Sequence, residues 1–205
     1  EEDARDYVFV GCHEPFVQGK SSYAPAGHIN LLKCLELALN NGADPGNGKQ
    51  LGPQSGNPLD FASIDDVLRA YRQQVAFFVE HIVRYDTAIY EAHAQVVPTP
   101  FQSALIAGCL EQGLDCTQNG ALHSAAWLSG AGAVNVGDSL AAIKKVVFDD
   151  KKASMADMLT ALKSDFVGHE QIMAFCNEAP KFGNDDDYVD SLTRQSVNIF
   201  CEEYQ

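Results

Sequence analysis

The chain has 205 residues, 46% of them hydrophobic and 20% charged, the composition of a globular protein and not of a disordered or collagen-like one. Fourteen basic residues stand against twenty-eight acidic ones, a formal charge of −14 at pH 7, which repels nucleic-acid phosphate and anionic membrane surfaces and favours solubility. No apolar run approaches the roughly 20 residues of a membrane span, and the start EEDARDYVFV has neither the basic flank nor the apolar stretch of a signal peptide; a cytoplasmic protein that binds no nucleic acid and no membrane is expected.

In chain order, Asp6 to Val10 predicts a short strand, apolar almost without interruption and so expected to be buried on both faces, ending at Gly11. Ser21 to Gly27 has loop composition. His28 to Asn41 carries Ile29, Leu32, Leu35, Ala38 and Leu39 at helical spacing, with Gly42 closing the helix. Residues 43–62 are rich in Gly, Pro, Asn and Asp and predict an irregular connection, long enough to suggest a function or contacts outside this chain.

Ser63 then caps a long helix that runs without Gly or Pro to about Gln95, helped by Asp65 and Asp66 in its first turn. Pro98 and Pro100 end it, and Phe101 to Gln112 predicts another helix, stopped at Gly113. Gly120 to Gly137 is dominated by small residues and predicts close backbone packing in a loop. Four further helices are expected, from Asp138 or Ser139 to about Val147, Ser154 to Phe166, Gly168 to Asn177, and Asp185 onward.

Six cysteines, at 12, 34, 109, 116, 176 and 201, form no C-x-x-C pair, and a chain of this length needs no disulfide staples. Cys34, Cys109 and Cys201 fall in apolar helical patterns, where a thiol behaves as a small hydrophobe. Cys12 differs, because it sits in Gly11-Cys12-His13-Glu14-Pro15. Pro15 pushes Glu14 towards extended geometry, so Cys12 and Glu14 should project from the same side, about 6–7 Å apart at the backbone, with His13 turned away. A sulfur that acts as a nucleophile or a one-electron carrier, beside a carboxylate base, suits that gap.

Other motifs carry less. GAGAVNVG at 130–137 imitates a dinucleotide fingerprint, but Asn135 replaces the third glycine and ALHSAAWL is a poor buried parallel strand, so tight packing is preferred. Asn184-Asp185-Asp186-Asp187 lacks the alternation of a calcium loop and reads as a helix cap. The histidines at 13, 28, 81, 93, 123 and 169 show no H-x-x-x-H pairing, so no metal site is expected.

The order of these segments resembles the pyruvate formate-lyase-like glycyl radical enzymes. The matching stretches are GCHEP at 11–15, HINLLKCLELALNNG at 28–42, PTPFQSALIAGCLEQG at 98–113, VNVGDSLAAIKKVVFDDKK at 134–152 and APKFGNDDDYVD at 179–190. The resemblance implies a helix-rich α/β fold, part of a ten-stranded α/β barrel with a cysteine finger loop at its centre. Residues 1–205 would be a partial domain, the second half of the barrel, lacking the C-terminal glycine radical domain and its R-V-[SA]-G-[YF] motif.

It further implies Cys12 as a thiyl carrier of hydrogen atoms and Glu14 as general base, the C-x-E pattern of the dehydratase and lyase branch. His13, His123 and Trp127 are candidate substrate-pocket residues; core packing is the simpler account of Trp127. The implied activity is lyase cleavage of a C–O, C–N, C–S or C–C bond, first of all glycerol or diol dehydration. Arylacetate decarboxylation or formate acetyltransferase-like chemistry is the alternative, and a non-catalytic barrel fragment awaiting a complementary chain is the reading from another class. No cofactor is expected to be bound, the glycyl radical belonging to a glycine outside this chain and not to Gly130 or Gly132. The implied partners are a small-molecule substrate, a radical S-adenosylmethionine activating enzyme and a second copy in a homodimer, in an anaerobic cytoplasm.

Overall fold

The computed structural model describes residues 2–11 and 14–204. It is a helix-rich α/β structure divided into two compact units, Glu1–His28 with His81–Ser129, and Ile29–Glu80 with Gly130–Gln205.

In the first unit, a short helix α1 (Glu2–Arg5) leads into strand β1 (Tyr7–Val10), which pairs antiparallel with β2 (Glu14–Val17) in the register Tyr7 to Val17, Val8 to Phe16, Phe9 to Pro15 and Val10 to Glu14. Aromatic and β-branched side chains favour the pleat, and Gly11 at φ +67° supplies the left-handed turn residue. Contrary to the expectation of burial on both faces, β1 is exposed, Phe9 to 63% and Tyr7 to 46%. A continuous apolar run marks strand propensity, but burial depends on what packs against it, and among the described residues β1 pairs with β2 alone.

Ser21–Asn30, read from sequence partly as loop, is a ten-residue strand β3 paired with β4 (His123–Ala131), which replaces the expected small-residue loop. Ser, Pro and Gly lower strand propensity, yet a two-stranded ladder has open edges that tolerate Pro25. Ser22 Oγ donates to Ser124 Oγ at 3.2 Å. That face of the pair lies against the second half of the long helix α3 (Ile64–Val96): a Cβ on Gly27 would fall 2.4 Å from Ile82 and 3.2 Å from Leu128. Tyr90, two turns after Ile82, shares a hydrogen bond with Ser22.

The expected helix 101–112 is broken into α4 (Pro100–Ser103) and α5 (Cys109–Gln112). Gly108 at φ +98° interrupts it, and a Cβ there would lie 2.7 Å from the Gly120 carbonyl. Asp115 then ties the segment together. Its carboxylate accepts from Thr99 N at 2.9 Å, Ser103 Oγ at 2.8 Å, Thr117 N at 3.0 Å and Thr117 Oγ1 at 2.7 Å. Burial pushes the carboxyl up, but these hydrogen bonds outweigh it and hold its pKa at about 2.

Asp115→Ala is therefore expected to cost about 1 kcal/mol, the usual loss of a capping carboxylate, and to speed amide exchange across residues 99–118. Because the folded pKa is depressed, the contribution is whole above the unfolded carboxyl value of about 4 and is lost as pH falls towards about 2. An unchanged exchange pattern in the variant would contradict this role.

In the second unit, α2 (Leu31–Ala38) is capped by Asn30, whose side chain accepts from Lys33 N, and buries Leu31, Cys34, Leu35, Leu37 and Ala38. It packs with α6 (Ala133–Ile143), which in turn packs with α9 (Asp187–Tyr204), in a core that also buries Tyr71, Val75, Val136, Leu140 and Val189. Each fully buried leucine adds about 1.5–3 kcal/mol. A Cβ on Gly137 would fall 1.9 Å from Thr193 Oγ1, so the glycine-rich stretch serves close helix contact, as expected, although in a strand end and a helix and not in a loop. Thr193 and Ser196 satisfy their hydroxyls on carbonyls of their own helix.

α6 continues into a π-helical turn, Lys144–Asp149. α7 (Met155–Lys163), capped by Ser154, and α8 (Glu170–Glu178) follow close to their expected places. Asp186 accepts from Tyr188 N at the start of α9, so the acidic run does cap a helix.

Residues 43–62 are irregular, as read, but internally anchored. Gln74, wholly buried on α3, donates to Pro53 O at 2.8 Å and Ser55 Oγ at 3.0 Å, while its Oε1 lies against the Cα of Gly52, where no Cβ would fit. Asn41 Oδ1 accepts from Gly56 N, and Gln50 Nε2 donates to Asn41 O and Gly52 O. The length of this connection is thus explained by contacts within the unit. Cys34 and Cys109 are buried as expected, and burial pushes the Cys34 thiol up to about 12. Cys201 is exposed, a departure from its apolar pattern, because it lies on the outer side of α9.

Candidate active site

Cys12 and His13 lie outside the described residues. Val10 pairs with Glu14 as the last pair of the β1–β2 ladder. Glu14 is extended, as Pro15 requires, and half-buried. A Cβ on Gly11 would fall 2.8 Å from Glu14 Oε2. The carboxylate therefore folds back over Gly11 instead of extending along the strand, and Gly11 is required twice, for its left-handed φ and for the space above its Cα.

Cross-strand partners in an antiparallel ribbon share a face, so Val8, Val10, Glu14 and Phe16 form one face of the hairpin, and Tyr7, Phe9, Pro15 and Val17 the other. On the first face, Phe16 stacks on Trp127 with ring centroids 6.3 Å apart and planes 16° apart. Alternation along β4 puts His123 and Trp127 on one face, opposite the Ser124 and Leu128 face that meets α3. The β3–β4 pair is thus a layer between α3 and the hairpin, with the Glu14 face of the hairpin turned towards Trp127.

Of the candidates from sequence, Glu14 and Trp127 are brought to one place through Phe16. Trp127 is half-buried, and its Nε1 is enclosed without an acceptor among the described residues. His123 is engaged elsewhere: its Nε2 lies 3.4 Å from Asp3 Oδ2, and Lys20 Nζ meets Asp3 Oδ1 at 2.7 Å. The Lys20 hydrogen bond, against the effect of burial, holds the Asp3 carboxyl below the usual range. This trio fastens α1 to the foot of the hairpin and to the start of β4. Phe16 escaped the reading from sequence, although the i, i+2 spacing from Glu14 within a strand is the signal for it. Among the described residues no group of three or more His, Cys, Asp or Glu side chains could hold a metal ion, and no helix is long and apolar enough to cross a membrane.

Glu14, at the end of the β1–β2 ladder, folds its carboxylate over Gly11, and Phe16, two residues on, stacks on Trp127. The pyruvate formate lyase-like family matches residues 1–205, and the chain belongs to that family. It is 37% identical over 203 residues to trans-4-hydroxy-L-proline dehydratase of Clostridioides difficile, covering 98% of this chain and 26% of that protein. Identity to (2S)-3-sulfopropanediol dehydratase of Klebsiella oxytoca is also 37%, over 98% of this chain and 25% of the relative. The glycerol-bound B12-independent glycerol dehydratase of Clostridium butyricum superposes with a TM-score of 0.92 at 39% identity, over 98% of this chain and 26% of that one. The chain thus spans about a quarter of the length of the relatives it matches.

Proposed function

We propose that the whole protein is a glycyl radical eliminase of the C-x-E type that dehydrates a small hydroxylated substrate, with Cys12 as hydrogen-atom carrier and Glu14 as general base. The observation that carries the reading is the place of Glu14, folded over Gly11, the residue next to Cys12 in sequence, in a chain matched along its length by dehydratases. On this reading residues 1–205 are part of a ten-stranded barrel in the cytoplasm, and the β1–β2 hairpin is its finger loop. The radical resides on a glycine outside these residues, installed by a radical S-adenosylmethionine activating enzyme, and it supplies the oxidising equivalent that removes the Cys12 thiol hydrogen. The glycines at 130 and 137 are unsuited to that role because each is packed against side chains, Leu31 and Phe200 in one case and Thr193 in the other.

Cys12, as thiyl, takes the hydrogen from the substrate carbon that bears a hydroxyl. Glu14 accepts that hydroxyl's proton, which favours expulsion of the neighbouring hydroxyl, and the proton leaves with it as water. The product radical then takes its hydrogen back from Cys12. Overall a diol becomes a carbonyl compound and water, and the thiyl is regenerated. Burial and charge rules for nucleophilic thiolates do not apply to a sulfur used in this way.

The test is to activate the full-length protein and incubate it with glycerol, 1,2-propanediol, trans-4-hydroxy-L-proline, isethionate and an arylacetate, following products by NMR. Loss of water from a hydroxylated substrate is expected. Decarboxylation of the arylacetate alone, or turnover of none, would overturn the eliminase reading.

A further inference from the structure

Resting on that reading, we infer that Asp115 is a positioning residue for the reaction, which through Ala107 holds the foot of the β1–β2 hairpin and so sets where Glu14 stands. The ladder runs from the pair Tyr7–Val17 to the pair Val10–Glu14, and the residues just after β2 are tied to the rest of their unit by backbone bonds. Ala107 N donates to Gly19 O at 2.8 Å, and His123 N to Lys20 O at 3.0 Å. Ala107 O in turn accepts from Leu122 N at 3.1 Å. Ala107 therefore joins the foot of the hairpin to the approach to β4 through both of its backbone groups, and any side chain at that position would leave the latch in place.

What the latch needs is a fixed chain on either side of it, because Ala107 lies between α4 and α5 and belongs to neither. Asp115 supplies that. Its carboxylate accepts from Thr99 N at 2.9 Å and from Ser103 Oγ at 2.8 Å, one at each end of α4, and Cys116 N donates to Ser103 Oγ at 2.9 Å. Next to Ala107, Ile106 is buried with Cys109, Cys116 and Ala121, and Gly108 has no room for a Cβ beside the Gly120 carbonyl. With the carboxylate removed, the donors at 99, 103 and 117 lose their acceptor in a largely buried setting, and the segment that presents Ala107 relaxes.

The hairpin magnifies a small movement at its foot. Glu14 stands three residues from Val17 along β2, about 10 Å at a strand rise of about 3.3 Å per residue. A tilt of about 6° over that length moves Glu14 by about 1 Å, and a misplacement of about 1 Å caused from a distance costs about 10²-fold in rate. The stack of Phe16 on Trp127 steadies the hairpin part-way along, so a loss of about 10-fold is expected instead of the full amount.

The experiment uses the activated full-length protein, with rates divided by the glycyl radical content measured by EPR, so that poorer folding or activation does not register as slower chemistry. Asp115→Ala should lower kcat per radical about 10-fold with KM changed by less than about 2-fold. It should also raise the isotope effect for substrate deuterated at the reacting carbon, since Cys12 is two residues from Glu14 in the chain and a displaced hairpin slows hydrogen transfer. A role in stability alone would move neither. Asp115→Asn, which keeps an oxygen for Thr117, should fall between the two proteins. In the parent protein the Ala107 amide should be protected from exchange with deuterated water, and in Asp115→Ala that protection should be lost. An Ala107 amide that exchanges in the parent protein as freely as an exposed peptide, or kcat per radical within about 2-fold of the parent in folded Asp115 variants, would overturn the positioning role and leave the eliminase reading standing. Turnover of no hydroxylated substrate by the parent protein would instead overturn the reading beneath it.

Discussion

In the activated full-length protein, Cys12→Ala should reduce substrate turnover below detection. The expected effect is the largest in the chain, because alanine has no S–H bond and neither Gly11 nor His13 can carry a hydrogen atom to and from the substrate. His13, its neighbour, holds N–H groups far too strongly bonded to exchange with an aliphatic carbon. The fold should be unaffected, since the pairs Tyr7–Val17 to Val10–Glu14 that hold β1 to β2 do not include residue 12; circular dichroism and thermal midpoint should match the parent protein. Full turnover in Cys12→Ala would rule out the relay.

Glu14→Gln should lower kcat by about 10²- to 10⁴-fold, the usual contribution of a positioned general base, with a smaller change in KM because glutamine still fits over Gly11. The two variants separate by isotope. In deuterated water, Glu14→Gln should still wash deuterium from the Cys12 thiol into recovered substrate, because hydrogen abstraction and return remain while elimination stalls; Cys12→Ala should wash in none. Glutamine should also remove the acidic limb of the rate profile that protonation of a carboxylate base produces. A rate in Glu14→Gln within a few fold of the parent protein would show that another group takes the proton.

The candidate site was legible in sequence where its chemistry is local. Pro15 alone predicts the extended Glu14 that the structure contains, and Ser63, Ser154 and Asp186 mark helix starts because capping involves only residues a few positions apart. The misses share a cause. Strands β3 and β4 are rich in Ser, Ala, Gly and Pro, and each is held by the other about a hundred residues away, as Ser22 is by Ser124. Local propensity could not anticipate that pairing. Likewise the break at Gly108 depends on the carbonyl of Gly120, and the order of residues 43–62 depends on Gln74.

The sequence by itself determined the acidic globular character, the helix-rich plan with its long α3, the Gly-Cys-His-Glu-Pro motif and, through the order of its segments, the family. All but the last rest on composition or on neighbours within a few residues; the family rests on the order of segments along the chain. Only the tertiary structure decided that Glu14 folds back over Gly11, that His123 is taken up by Asp3, and that Trp127 reaches Phe16 to make an aromatic face beside the carboxylate. These are contacts between strands remote in sequence, and which face a side chain occupies follows from strand register, a property of the pair and not of either strand alone.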